Sequence, residues 1–153
     1  MVLRITGGSI VGALVAVITV FVWEVVGHTI FEVPAGLDPS KPEEARAYVA
    51  ALPFEAKIWA VGGWLLAALF GALVARALTG KKWPAWIPAL VMLAASIANF
   101  AALPFHPWWM IAAGIAAPLL VGVLLGGLPR FGRAGVGDGE VAPVAPSDAS
   151  DAP

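Results

Sequence analysis

The chain contains no cysteine and few charged residues. Without cysteine it can form no disulfide bond, thiolate nucleophile, C-x-x-C redox pair or cysteine-ligated metal site. Only 12% of its 153 residues are charged, whereas a soluble domain has about 25%. A net charge of −1 offers no basic surface to nucleic acid, so no nucleic-acid partner is expected. Soluble enzymes, nucleic-acid binders and disordered chains are therefore disfavoured.

Long apolar runs dominate what is present. Apolar residues make up 60% of the chain, and the mean hydropathy is +0.88. A water-soluble domain of this size has too much surface to bury so many of them. A membrane-spanning helix needs about 20 mostly apolar residues, and four stretches qualify, at about 5–31, 56–78, 83–103 and 108–128. The sequence predicts an all-α fold, a four-helix transmembrane bundle over residues 1–131, with the lipid bilayer as its surroundings.

Two segments lie outside these spans. From about 41 to 52, apolar side chains recur at helical spacing, and Ser40 and Glu43 have the spacing of a capping box. This pattern predicts a short amphipathic outer helix between the first two spans, lying flat on the membrane surface or over the bundle mouth, or folded against the neighbouring helices. Over residues 132–153 Gly, Ala, Pro, Ser and Asp dominate without an apolar period, which predicts a disordered cytoplasmic tail.

The distribution of Lys and Arg predicts the orientation, because these residues collect in cytoplasmic loops. The cations that flank one set of span ends are Arg4, Arg76, Lys81, Lys82, Arg130 and Arg133. Acidic residues outnumber basic ones in the first loop, and the third loop has no Lys or Arg. Both termini are therefore predicted to be cytoplasmic, with the first and third loops outside.

Small residues recur at four-residue spacing in three of the spans, and such stripes let helix backbones approach closely. The residues expected at helix contacts are Gly8, Gly12, Ala67, Gly71, Gly122 and Gly126. The pattern fits packing within one chain. It also fits a seam with a second copy, so a homo-oligomer or another membrane protein is a candidate partner.

Four polar residues are expected in the outer half of the membrane, where a polar side chain is costly and usually has a structural or functional role. Glu24 is the only carboxylate within a span, and His28 follows one turn later on the same face. Asn99 and His106 lie at matching depth near the end of the third span. The sequence predicts a polar cluster of these four residues.

Two interpretations of this cluster need no metal. In the first, Glu24 accepts a hydrogen bond from Asn99 or His28 and fixes the register of the first and third spans. In the second, Glu24 and His28 handle protons or a small solute, since a carboxyl and an imidazole one turn apart can exchange protons near neutral pH. The first suits a non-enzymatic accessory or oligomerising subunit.

A third interpretation is a metal site. Glu24, His28 and His106 are ligand types for Zn²⁺ or another divalent ion, with Asp38 or Glu32 as a further ligand. No other cofactor is implied. No serine and histidine are arranged for acyl transfer, and no glycine-rich loop leads to a phosphate-binding lysine. No catalytic residue is assigned, so a non-enzymatic protein is favoured, and a membrane enzyme using the three ligands stays open.

Several short motifs occur in a fixed order along the chain. They are E-x-x-G-H at 24–28, P-x-G-x-D at 34–38, L-P at 52–53 and H-P-x-W at 106–109, together with Trp64 and Gly71. In combination they resemble an uncharacterised group of small bacterial four-span integral membrane proteins. The resemblance covers residues 5–128 and implies a bacterial plasma (inner) membrane location. It implies no catalytic role, because that group has no established activity.

Overall fold

The computed structural model describes residues 2–32, 36, 38 and 40–128, and this part of the chain contains helices and no strand. The α-helices are α1 (Val2–Ile30), α2 (Pro42–Ala51), α3 (Phe54–Thr79), α4 (Trp86–Ala102) and α5 (Trp108–Val121). A 3₁₀ turn, Trp83–Ala85, leads into α4, and a π-helix, Gly122–Gly126, continues α5. The prediction of an all-α fold is confirmed for the described residues.

Four helical segments are long and apolar enough to cross a membrane: Val2–Ile30, Phe54–Thr79, Trp83–Ala102 and Trp108–Gly126. Each begins and ends within a few residues of a predicted span. The outer helix predicted at 41–52 is α2. The tail predicted at 132–153 lies outside the described residues.

Glycine and proline set several helix ends. Gly80 ends α3 with a φ of 67°, a left-handed conformation that glycine adopts without the steric cost of a Cβ. Pro53 precedes α3 and Pro107 precedes α5, both with extended ψ angles of 156° and 143°. Proline suits these places because the first N–H groups of a helix have no helical acceptor.

The closest helix pair is α1 and α3, which run antiparallel. A Cβ built on either Gly12 or Gly71 would lie 2.6 Å from the carbonyl oxygen of the other residue. The two backbones are therefore in direct contact, which only glycine on both sides permits. Further along, a Cβ on Gly8 would lie 2.6 Å from the Cγ2 of Thr79.

Tryptophan rings occupy the gaps that glycines leave in α5 and its π-helix. A Cβ on Gly122 or Gly126 would lie 2.6 or 2.4 Å from atoms of the Trp86 ring. The Nε1 of Trp86 donates a hydrogen bond to the carbonyl oxygen of Gly127 at 2.9 Å. Ala67 of α3 is fully buried in the core. All six residues expected at helix contacts thus contact other parts of the same chain.

Two arginines bind carbonyl oxygens at the end of the molecule where α1 begins. Arg4 donates from Nε to the carbonyl oxygen of Leu78 at 2.8 Å, and Arg76 donates from an Nη to that of Leu125 at 3.4 Å. Cations near helix C-termini satisfy carbonyl groups that have no helical partner. These two arginines thus stabilise the ends of α3 and of the π-helix.

Candidate functional site

The prediction of a capping box at the start of α2 is wrong. The N-cap residue of α2 is Lys41, and its side chain forms no capping hydrogen bond. Ser40 instead donates its hydroxyl to Asp38 Oδ1 at 2.7 Å and its N–H to the same oxygen at 2.9 Å. Glu44, rather than Glu43, reaches back, accepting the Asp38 N–H at 2.7 Å and pairing with Lys41 at 3.1 Å. Ser40 therefore forms its hydrogen bond with Asp38 instead of capping α2.

Asp38 belongs to this turn. The hydroxyl and then the N–H of Ser40 hold the pKa of the Asp38 carboxyl below its ordinary value, because both hydrogen bonds favour its charged form. Asp38 was expected as a further metal ligand, but its oxygen is engaged by Ser40.

The short helix α2 packs on the rest of the chain. Ala45 and Val49 are each only 3% exposed, and Tyr48 is half-buried. Their spacing of three and four residues puts them along one side of the helix. Of the predicted placements, the structure favours packing against protein, and residues of α2 line two cavities.

The acidic cavity has a volume of about 110 Å³. Tyr48 and Leu52 of α2 form one of its walls. The remaining lining residues are Glu24, Gly27, His28, Phe31, Glu32, Ala56, Trp59 and Ala60. Two carboxylates, one imidazole and three aromatic rings therefore surround this space.

The basic cavity lies against other residues of α2 and has a volume of about 460 Å³. Arg46, Val49 and Ala50 form its α2 wall. The remaining lining residues are Lys57, Phe105, His106 and Pro107. No carboxylate lines this cavity.

Glu24, His28 and Glu32 follow one another along α1 and its end, and each step of four residues rises by about 6 Å. Glu24 is half-buried, whereas His28 and Glu32 are exposed. Within the described part of the chain, Glu24 forms no ion pair or side-chain hydrogen bond, and no buried side-chain nitrogen or oxygen lacks a partner. The carboxylate oxygens of Glu24 are therefore accessible, and Glu24 lines the acidic cavity.

Trp59, which lines the acidic cavity, is held in place by its contacts with Trp23. Trp23 Nε1 donates to the carbonyl oxygen of Trp59 at 2.8 Å, and Trp59 Nε1 donates to that of Trp23 at 3.1 Å. The rings are stacked, with centroids 4.2 Å apart and an interplanar angle of 20°. The edge of Phe31 meets Trp59 at a centroid distance of 5.9 Å. The position of Trp59 is thus fixed by two hydrogen bonds and two ring contacts.

Two glycines make room for this pair. A Cβ on Gly27 would lie 2.8 Å from Trp59 Nε1, and one on Gly63 would lie 2.4 Å from Trp23 Cδ1. Each glycine comes four residues after one of the tryptophans, so the motif W-x-x-x-G occurs in both helices. Reasoning from the sequence missed the pair. The repeated motif is the signal that could have found it.

His106 lies in the basic cavity, apart from Glu24 and His28. Its Nδ1 faces the carbonyl oxygen of Leu103, which can only accept, so Nδ1 carries a hydrogen and Nε2 takes no part in this contact. Its ring meets the Phe100 ring edge-on, with centroids 5.3 Å apart. This contact and the hydrogen bond fix the imidazole at the cavity wall.

The four residues of the predicted polar cluster are thus distributed over different surroundings. Asn99 is half-buried and lines neither cavity. Its side chain forms no hydrogen bond with Glu24 in the structure as described, so the predicted link between the first and third spans is not present there. Among the described residues no group of three or more His, Asp or Glu side chains could hold a metal ion. Of the expected ligand set, Glu24 and His28 line the acidic cavity and His106 lines the basic cavity.

Comparisons with protein-family models, with curated proteins and with solved structures found no match to this chain. The resemblance to small bacterial four-span proteins stays a prediction.

Proposed function

We propose that the protein is a non-enzymatic integral membrane protein that binds a small cation in the acidic cavity. Four helices would cross a bacterial inner membrane, with both termini in the cytoplasm. The observation that carries the binding proposal is the accessibility of Glu24. A carboxylate within an apolar span is costly, and this one opens to a cavity instead of forming a structural hydrogen bond.

Exposed apolar side chains support the membrane location. Ile18, Phe21 and Leu124 are among many aliphatic and aromatic residues that are more than half exposed. Contiguous apolar surface of this extent is unfavourable in water and favourable against lipid tails. The bilayer is accordingly the first partner, and association with a second copy or another membrane protein stays a prediction.

The chemistry of the acidic cavity fits a cation of the ammonium type. Glu24 and Glu32 supply negative charge, while Phe31, Tyr48 and Trp59 supply aromatic rings. Aromatic faces attract ammonium groups through their quadrupoles, more strongly when the site excludes water. A volume of about 110 Å³ is enough for a small organic ammonium ion.

His28 adds a proton-accepting group to the same wall. It lies one helical turn from Glu24, nearer the end of α1. Its imidazole can accept a hydrogen bond from a bound ammonium group.

Titration of the purified protein in lipid nanodiscs tests the proposal. Methylammonium and choline are added at constant ionic strength, and binding is followed by calorimetry and by tryptophan fluorescence, since Trp59 lines the cavity. Glu24→Gln keeps the side-chain shape and removes the charge. We expect it to weaken binding by about tenfold or more, the effect of losing one charged partner.

The matched control is Glu43→Gln, which removes a carboxylate from exposed α2 surface that lines neither cavity. This variant is expected to bind like the wild type. Equal losses of affinity in Glu24→Gln and Glu43→Gln would mean that the overall charge of the protein, and not the cavity, attracts the cation. The absence of binding to the wild type would refute the proposal. Uptake of the same cation into proteoliposomes then distinguishes transport from binding.

A further inference from the structure

The basic cavity brings together nitrogen-bearing side chains from three parts of the chain. Arg46 comes from α2, Lys57 from α3, and His106 from the turn between α4 and α5. Arg46 and Lys57 lie on successive helices, whereas His106 is far from both in sequence, so the fold brings it to the same space of about 460 Å³. Proximity in sequence therefore does not account for the presence of all three side chains around one cavity.

Acidic residues are abundant at this end of the molecule, yet none lines the basic cavity. They are Glu32, Asp38, Glu43, Glu44 and Glu55. The one ion pair within the described ranges joins Lys41 and Glu44. Within that part of the chain, neither Arg46 nor Lys57 forms an ion pair with a carboxylate. Cations grouped without counter-charges are typical of an anion site.

Two of the three groups are held in place by carbonyl oxygens. Lys57 donates from Nζ to the carbonyl oxygen of Leu52 at 2.8 Å, which leaves two of the three ammonium hydrogens for a ligand. His106 is oriented through Nδ1 by Leu103. Both side chains line the cavity and are already held in place, which lowers the cost of binding.

The surroundings indicate the depth of the cavity in the membrane. Phe105 lines it, and Trp108, three residues further on, is 80% exposed. The neighbouring Trp109 packs against Phe54, with ring centroids 5.4 Å apart. Exposed aromatic rings at the end of membrane spans prefer the level of the lipid headgroups. The basic cavity is therefore expected at the level of the lipid phosphate groups, where an anionic headgroup can reach it.

We propose that the basic cavity binds a phosphate group, supplied by the headgroup of an anionic membrane lipid. Arg46 and Lys57 donate charge-assisted hydrogen bonds to the phosphate oxygens. Phe105 and Pro107 offer apolar surface to the glycerol and the first methylenes of the acyl chains. The proposal depends on the membrane location but not on the cation site.

Native mass spectrometry of delipidated protein in detergent tests this proposal. The probes are phosphatidylglycerol, diacylglycerol, which lacks the phosphate, and inorganic phosphate. Phosphatidylglycerol is expected to bind and diacylglycerol is not. Arg46→Gln and Lys57→Gln are each expected to weaken phosphatidylglycerol binding by about tenfold, the effect of losing one charged hydrogen bond.

The control variant is Lys41→Gln, which removes the same charge at the same end of the molecule but outside the cavity. Arg46 is exposed and makes no ion pair in the described structure, so its substitution should leave the fold intact even if Lys57→Gln disturbs the turn at Leu52. Equal binding by Arg46→Gln and Lys41→Gln overturns the proposal, as does equal binding of phosphatidylglycerol and diacylglycerol. Binding of inorganic phosphate that requires Arg46, without binding of the lipid, supports the phosphate site and rejects the lipid as its source.

Discussion

Trp23 and Trp59 donate their indole N–H groups to each other's backbone carbonyl oxygen, so two hydrogen bonds of opposite direction join α1 to α3. In a helix, the carbonyl of residue i points toward residue i+4. Because those residues are Gly27 and Gly63, no Cβ covers either carbonyl, and each can accept the indole N–H. The same glycines give the rings their space.

Replacing one indole should measure this link. Trp59→Phe keeps an aromatic ring and removes the N–H donor, so we expect a loss of about 0.5–1.5 kcal/mol in the free energy of unfolding. The double variant with Trp23→Phe should lose less than the sum of the single variants, because both hydrogen bonds depend on one stacked arrangement. Unfolding in detergent micelles gives these values. Trp108→Phe, at an exposed ring, is the control and should change little.

The neighbouring glycines of α3 provide a matched pair of substitutions. Gly63→Ala places a Cβ 2.4 Å from Trp23 Cδ1, whereas at Gly62 the nearest atom is 3.8 Å away. We expect Gly63→Ala to destabilise the protein by about 1–3 kcal/mol through overpacking. Gly62→Ala should be neutral or stabilising by up to about 1 kcal/mol, since alanine favours the helix. Equal melting temperatures of the two variants would contradict this packing.

The backbone contact between α1 and α3 predicts an order of effects along α1. Gly12→Ala meets the carbonyl oxygen of Gly71, which cannot move without shifting a helix. Gly8→Ala meets the Cγ2 of Thr79, a side-chain atom that can rotate away. Gly7 has no atom within 4 Å of a built Cβ. The expected loss of thermal stability therefore falls in the order Gly12→Ala, Gly8→Ala, Gly7→Ala, and a reversed order would argue against the described helix crossing.

The turn before α2 predicts a pH effect. The hydroxyl of Ser40 is the larger of the two causes that lower the pKa of Asp38, so Ser40→Ala should raise that pKa toward the ordinary value while Ser40→Thr should not. A lowered pKa in the folded state means that the hydrogen bonds stabilise the turn above the ordinary pKa. This stabilisation is lost as the pH falls through the folded-state pKa. Carbon NMR titration of the Asp38 carboxyl measures the shift, and an unchanged pKa in Ser40→Ala would exclude the serine hydroxyl as its cause.

The helices were predictable from the sequence, whereas their side-chain partners were not. Apolar runs of about 20 residues leave few alternatives to spanning helices, so α1 and α3 were predicted nearly to their ends. Spacing along a helix says which residues share a face, but it does not say which helix that face meets. Glu24 and His28 do share a wall, as their spacing predicted, but the cavity they line is completed by Tyr48 of α2 rather than by Asn99.

The capping box failed for a related reason. Ser40 had the right spacing to a glutamate, but the pattern did not include Asp38, which competes for the same hydroxyl at two residues' distance. Short polar side chains in turns bind nearby backbone and side-chain groups as readily as they cap helices. Local motifs of this kind predict a helix start to within one or two residues and leave the identity of the cap undecided.

The ten-residue helix α2 contributes Tyr48 to the acidic cavity and Arg46 to the basic cavity. Arg46 and Tyr48 are about 200° apart around the helix, so a shift of α2 toward one space would move it away from the other. Ligands that fill the two spaces would therefore influence each other's affinity, and thermodynamic linkage requires the influence to be equal in both directions. In this arrangement an ammonium ion on one side and a phosphate on the other would act as effectors of each other.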